Sequence, residues 1–297
     1  MTESVALSIS QIRDAWRIFC AACPDTASGT AEGIEFLFSG LPVAFFNVAL
    51  LTTDETTTTR LDAAAAAARE WASPRGVPWL FLVTHQTLAP GVDADAVLHA
   101  RGLVPVLLLT GMVAEHVPRA SVPAGLRVDV PHDEIGYGSI LDINGAAYGE
   151  NLDACKPSFA RPAFWAGHVP VVGVADGQPV TCAAVLMAGG YRYVAMVATD
   201  PSAQRRGYAA AAMLHALEVA ARTHGWRPSF LHATAAANQS TSGWDTRRWP
   251  RMLPISSPTV MSMLIRETCL RGIATSATRW TWSMNPTSRK QRPPLAV

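Results

Sequence analysis

The chain has 297 residues, 49% of them hydrophobic and 16% charged, which is ample apolar material for one large or two ordinary domains. Its net charge of +1 hides an asymmetry. Residues 1–237 carry 15 basic and 21 acidic side chains, a net of −6, whereas residues 238–297 carry 9 and 2, a net of +7. The mildly acidic body excludes the basic footprint of a nucleic-acid binder. No run approaches the ~20 apolar residues that span a bilayer, and residues 1–4 lack the basic start of a secretory leader. Cys20 and Cys23 have C-x-x-C spacing, but no second pair completes a zinc set, and both fall on or beside the buried face of a helix. The expectation is a cytoplasmic protein with core cysteines, no disulfides and no metal.

In chain order, Ile9, Ile12, Trp16, Phe19 and Cys23 recur at helical spacing and give a first amphipathic helix, which Pro24 stops. Residues 34–38 and 43–51 read as strands around a Gly40–Pro42 turn, residues 61–71 as an Ala-rich helix and 77–83 as a strand. A short helix over 93–101 and a strand over 103–112 follow. Residues 119–125, with Pro123 and Gly125, have the composition of a linker. Beyond it come a strand over 126–130 and a helix from His132 whose apolar side is Ile135, Ile140 and Ile143. A polar stretch (148–153) and an aromatic one (157–167) precede a hairpin of strands 169–174 and 180–187 around Asp176 and Gly177.

Residues 191–199 form a strand that feeds a polar turn, Asp200-Pro201-Ser202-Ala203, and then a long Ala-rich helix opening on Gln204-Arg205-Arg206-Gly207-Tyr208-Ala209. A helix start leaves backbone N–H groups without partners and concentrates partial positive charge, so it suits a phosphate. Gly207 lets a ligand approach the backbone, Ala209 keeps the turn small, and Arg205 and Arg206 supply charge. A further strand runs over 230–233.

The spacing Gln204-x-x-Gly207-x-Ala209, after a strand ending in Val197-Ala198-Thr199, resembles the acetyl-CoA motif of the GNAT N-acetyltransferase superfamily. The element order over residues 126–237 matches that family across about 110 residues. The resemblance implies an α/β (α+β) fold with a mixed, mainly antiparallel sheet flanked by helices. It implies that the amides of Gln204, Arg205, Arg206, Gly207, Tyr208 and Ala209 hold the cofactor's pyrophosphate, and that the splayed strand at Met196, Val197 and Ala198 pairs with the pantetheine arm. Acetyl-CoA would be the acyl donor, and a small-molecule or peptide amine the acceptor, with no nucleic-acid or membrane partner and the oligomeric state open. Residues 1–118 then read as a degenerate, structural copy of the same fold, because the helix opening on Thr59-Arg60-Leu61 lacks a glycine and a cradle. An unrelated α/β lid domain is the alternative.

After residue 233 the family has a helix whose Tyr protonates the leaving thiolate. Here the chain turns Arg-rich and aperiodic. Read one frame over from the third base of the Asn238 codon, the codons through Thr246 can encode Pro-Val-Tyr-Glu-Arg-Met-Gly-Tyr. The Gly is forced, because the Trp244 codon ends in G and the Asp245 codon begins GA. Residues 238–297 therefore read as a frameshifted or disordered tail, leaving the domain over 126–237 incomplete.

For the acceptor's proton, Glu150 and Asp153 are within reach in the family layout, against a competing reading as solvated loop acids. The resemblance implies the Val197 amide as the oxyanion donor. Tyr191, Tyr193, His215 and His232 read as packing residues. Two functions follow: an N-acetyltransferase, or a catalytically impaired GNAT remnant that binds CoA or has only a structural role. An α/β domain without cofactor is a third.

Overall fold

The computed structural model describes residues 1–116 and 120–234, and further on the backbone of two strands, Leu253–Pro254 and Val260–Arg266. The first helix, α1 (Glu3–Ala21), buries Val5, Ile9, Ile12, Trp16 and Phe19 along one face. It starts ahead of the periodic residues that announce it. Strands β1 (Ala27–Ala31), β2 (Ile34–Phe38) and β3 (Asn47–Leu51) pair antiparallel in turn. Helix α2 (Thr58–Ala72) then crosses over to β4 (Leu80–Thr84), which pairs parallel with β3. After α3 (Ala94–Ala100) comes the 12-residue strand β5 (Leu103–Ala114).

The second half repeats this order. Strand β6 (Leu126–Asp129), helix α4 (Glu134–Tyr148) and the single turns α5 (Lys156–Phe159) and α6 (Pro162–Trp165) lead into β7 (Val169–Ala175), β8 (Gln178–Ala188) and β9 (Tyr191–Thr199), again antiparallel in turn. Helix α7 (Tyr208–His224) crosses over to β10 (Ser229–Thr234), parallel to β9. The two later strands are β11 (Leu253–Pro254) and β12 (Val260–Arg266). All of these strands lie in one sheet, ordered β1-β2-β3-β4-β12-β5-β10-β9-β8-β7-β6, with β11 on β5. Strand β5 is the seam: β12 and β11 pair along one edge, and β10 along the other.

On one face, α2 packs with Ile34, Phe36, Leu51 and Phe81 in the first half, and α7 packs with Val171, Val185, Val194 and Leu231 in the second. The opposite face carries a single core that both halves share, with α1 and α4–α6 laid over it. Its centre is aromatic. Phe159 lies 5.6 Å from Phe19, 4.9 Å from Phe46 and 4.9 Å from Phe164, ring centroid to centroid.

Several expectations need correction. The strand expected over 43–51 begins as a 3₁₀ turn, Ala44–Phe46, and is extended only from Asn47, whose amide nitrogen bonds the carbonyls of Leu41, Val43 and Pro78. Ile135 is 82% exposed, because it sits in the first turn of α4 with its side chain off the sheet, while Ile140 and Ile143 are buried. Strand β1, a small polar edge segment, carries no apolar alternation that would announce it. Two segments of the tail read as irregular are strands, β11 and β12. The expected Tyr-bearing helix and the codons around Trp244 and Asp245 lie outside the described residues. Among those residues no helix is long and apolar enough to cross a membrane, and no cluster of three His, Cys, Asp or Glu is placed to hold a metal.

Candidate functional site

Strand β9 is paired to β8 along nearly its whole length, but to β10 at only three positions, Arg192, Tyr193 and Val194. Beyond Val194 and Leu231 the two parallel strands part. Strand β10 stays on β5 as far as Thr234, so residues 195–199 of β9 have no strand partner on that side among the described residues. The parting has a local cause. Met196 has a φ of 50°, a left-handed conformation for a residue with a side chain, and the register with β8 slips between Cys182 and Ala184. A bulge of this kind bends and twists its strand.

Such a conformation costs of order 1–3 kcal/mol and persists where neighbours over-determine it. Here the Asn144 amide (3.3 Å) and the Cys182 thiol (3.3 Å) both donate to the Met196 carbonyl. Complete burial pushes the Cys182 thiol up to about 12, so it remains a donor. One helical turn beyond Asn144, the Tyr148 hydroxyl donates to the Val197 carbonyl at 3.3 Å. The next carbonyl, Ala198, accepts from Thr181 on the β8 side. Successive strand residues turn their backbone groups to opposite edges, which sets the Val197 groups on the open edge.

The chain leaves β9 through a tightly held turn. The Asp200 N–H donates to Val180 at 2.8 Å, and its carboxylate accepts from the Ser202 N–H and hydroxyl, which holds the carboxyl below the usual range. The Gln204 amide donates to the Thr199 carbonyl at 3.3 Å. Arg205 (φ 60°) and Gly207 (φ 78°) are both left-handed, so the helix expected to open at Gln204 begins at Tyr208 instead. Gly207 is needed for its backbone and not for crowding, since an added Cβ would meet only Pro123 at 3.7 Å.

The N-cap Gly207 has no side chain, and the first bond of α7 runs from the Ala211 N–H to the Gly207 carbonyl. The N–H groups of Tyr208, Ala209 and Ala210 consequently have no partner among the described residues. Gln204, Arg205, Arg206 and Gly207 are exposed beside them, and neither arginine is in an ion pair among the described residues. The Tyr208 ring takes no part in this surface. It is 7% exposed and packs in the core under α7, leaving only its N–H at the helix start.

The two acids named from sequence differ. Asp153 is exposed, and its carboxylate is 2.8 Å from Lys156 Nζ, which also holds Asp142 at 2.7 Å. Glu150 follows the end of α4, exposed and without an ion pair among the described residues, and partial desolvation raises its carboxyl above the usual range. A third group, read from sequence only as packing, has a polar partner at each ring nitrogen. His232, the first β10 residue past the last β9–β10 rung, has Nε2 2.9 Å from the Ser8 hydroxyl and Nδ1 3.0 Å from the Tyr193 hydroxyl. Burial pushes its imidazole down to about 3 and the Tyr193 phenol up, so all three groups are neutral. Ser8 lies 224 residues from His232, a separation no local pattern reports.

Comparison with known proteins places this geometry. The family model described as the acetyltransferase (GNAT) family matches residues 139–242. No curated protein sequence matches the chain. Among solved structures, a GCN5-related N-acetyltransferase from Kribbella flavida is similar with a TM-score of 0.62 at 20% identity, over 90% of this chain and 96% of that one. A putative GNAT-family acetyltransferase from Novosphingobium aromaticivorans gives 0.51 at 15% identity, over 87% and 97%. A tandem GNAT protein from the clavulanic acid biosynthesis pathway gives 0.50 at 14% identity, over 87% and 94%. At these identities the likeness is one of fold.

Proposed function

We propose, from the GNAT-family domain that residues 139–242 carry, that this chain is an acyl-CoA-dependent N-acetyltransferase acting on a small-molecule or peptide amine. The observation that carries the proposal is the pairing of a bare strand edge with a bare helix start. Residues 195–199 of β9 have no strand partner on the β10 side among the described residues, and after four residues beyond the 3₁₀ turn α7 offers three N–H groups free of partners among the described residues. Both features suit a phosphopantetheine: the pyrophosphate on the amides of residues 204–209, the arm along Met196, Val197 and Ala198. Arg205 and Arg206 supply the opposing charge. Residues 1–118 would then be the copy of the fold that holds no donor, and residues 126–237 the copy that does.

Catalysis in such a site is mainly positioning. An amine held on the α1/α4 face attacks the acyl carbonyl, the C–N bond forms as the C–S bond breaks, and CoA leaves as the thiolate. The Val197 N–H on the open edge is the donor for the developing oxyanion. Glu150 suits the general base better than Asp153: partial desolvation raises its proton affinity, whereas Asp153 is already engaged by Lys156. The second reading, a remnant that binds CoA without turnover, rests on reading residues 238–297 as frameshifted, which would remove the family's Tyr.

A thermal-shift titration with acetyl-CoA, beside a Gly207→Glu variant, tests the proposal. At ~100 times its dissociation constant a ligand stabilises by roughly 2.7 kcal/mol. The parent should shift and the variant should not, because a carboxylate at the N-cap repels the pyrophosphate. A cooperative melt with no shift in the parent would remove the donor site. A shift without turnover on an amine panel would favour the remnant.

A further inference from the structure

The parting of β9 and β10 has an inner end, the Val194–Leu231 rung, and His232 stands beside it. On the reading above, the pyrophosphate sits at the start of α7, next to Thr199, and the arm runs back along the bare edge of β9. Four steps from Thr199 to Ala195 cover about 13 Å at ~3.3 Å per residue. The acyl end therefore points at the Val194–Leu231 rung, where β9 and β10 close. His232 is the first β10 residue on the open side of that rung. Its ring lies on the shared-core face, 5.1 Å from the Phe230 ring and 5.9 Å from the Tyr193 ring.

The ring is fixed in place. Hydroxyls hold both nitrogens, Ser8 from α1 and Tyr193 from β9, so no rotation frees it without losing a bond on each side. Gly111, its partner on β5, makes the arrangement fit: a Cβ there would come within 2.8 Å of Ser8 Oγ. Ser8 is 0% and Tyr193 3% exposed, while His232 is partly buried, so His232 is the most accessible residue of the trio. Behind it the space is filled by Phe230, Tyr193 and α1.

We infer that the His232 ring, held by Ser8 and Tyr193, closes the inner end of the cleft and restricts the donor's acyl group to a short chain such as acetyl or propionyl. This inference rests on the acyl-CoA reading. It makes His232 a specificity-determining residue and Ser8 a positioning residue. It also makes the first half of the chain, through α1, a contributor to donor selection in the second.

Equilibrium binding of CoA, acetyl-CoA, butyryl-CoA and hexanoyl-CoA to the parent, His232→Ala and Ser8→Ala proteins tests it. The parent should bind hexanoyl-CoA at least about tenfold more weakly than acetyl-CoA, the scale on which a filled pocket rejects extra methylenes. His232→Ala should bring that ratio close to one or invert it, and Ser8→Ala, which frees the ring without removing it, should fall between. A general loss of stability weakens every acyl-CoA alike and leaves the ratio unmoved. A parent that binds the two equally, or a ratio unchanged in His232→Ala, overturns the inference. Should His232→Ala fail to fold, an unchanged ratio in Ser8→Ala overturns it instead. Failure to bind CoA itself is the distinct signature of a wrong donor reading, and takes this inference with it.

Discussion

The chain builds the same strand–turn–helix junction twice, and finishes it differently each time. In the first half β3 pairs with β4 through Leu50 and ends one residue later, at Leu51. The strands are then tied again further on: the Thr56 N–H donates to Thr87, and the Ala89 N–H to Thr56, across a parallel bridge between Thr56 and Leu88. Helix α2 is capped by the Thr57 hydroxyl, which accepts from the Arg60 N–H. In the second half β9 runs five residues past its last rung, a left-handed Met196 bends it away, and α7 starts on a glycine that cannot cap. Buried backbone groups are almost always paired. The first junction pairs its own, and the second leaves an edge and a helix start without partners among the described residues. A site here is an unfinished junction.

The halves differ at their junctions while sharing one core, and the largest effect expected of a single substitution comes from that core. Phe159 contacts Phe19 and Phe46 from the first half and Phe164 from the second. Phe159→Ala should cost about 3–5 kcal/mol, through lost transfer energy and a residual cavity. Because the cavity opens between the halves, both should lose stability in one transition, read by urea denaturation with circular dichroism and tryptophan fluorescence as paired probes. Two separated transitions, with the first half at its parental midpoint, would break the picture of a shared core.

How legible this was from sequence depends on the range of the interaction. Apolar alternation and helical spacing located β2, β4, β5, β7–β9 and α2, because burial on one face writes a local period. The cradle was legible too, since Gly207 and the arginines sit together in six residues. Its fine structure was not: Gln204, Arg205 and Arg206 are all good helix formers, so nothing local says that Arg205 turns left-handed and delays the helix to Tyr208. The splay between β9 and β10 was inferred by resemblance alone, because the residues that cause it read as an ordinary apolar strand. The Ser8–His232–Tyr193 trio lay beyond reach, joined across three elements by tertiary packing. Glu150 and Asp153 looked equivalent until Lys156 was placed beside one of them.

That trio separates the junctions in a second way, through acid. The closed junction is tied by threonines and backbone, which do not titrate between pH 3 and 7, whereas the open one ends on a partly buried, neutral histidine. The folded His232 sits at about 3, below an unfolded value near 6.5. Between those values the unfolded chain binds the extra proton. The stability is therefore fully present above pH ~6.5 and falls as pH drops toward 3, at up to about 1.4 kcal/mol per unit. Burial and His224 lower the His168 imidazole as well, so the parent's slope has more than one source. The difference from His232→Gln isolates this one. Urea midpoints at pH 7, 5.5 and 4.5 should fall less steeply in the variant; parallel slopes would remove His232 from the acid response.

The smallest effect is the sharpest test of the contrast. Thr57→Ala removes the hydroxyl that closes the first junction and leaves the Arg60 N–H to water. Loss of an N-cap costs ~0.5–2 kcal/mol, and the 3.4 Å length of this bond points to the lower end of that range. The substitution should lower the urea midpoint slightly while leaving the stabilisation by acetyl-CoA untouched, since nothing at α2 is offered to a ligand. Gly207→Glu should remove the ligand's contribution in full, on top of a loss of about 1–2 kcal/mol for placing a side chain at a left-handed position. If Thr57→Ala erased the acetyl-CoA shift as Gly207→Glu does, the first junction would be part of the donor site. The capped threonine would then have to be explained as a ligand contact instead of as the feature that closed this copy.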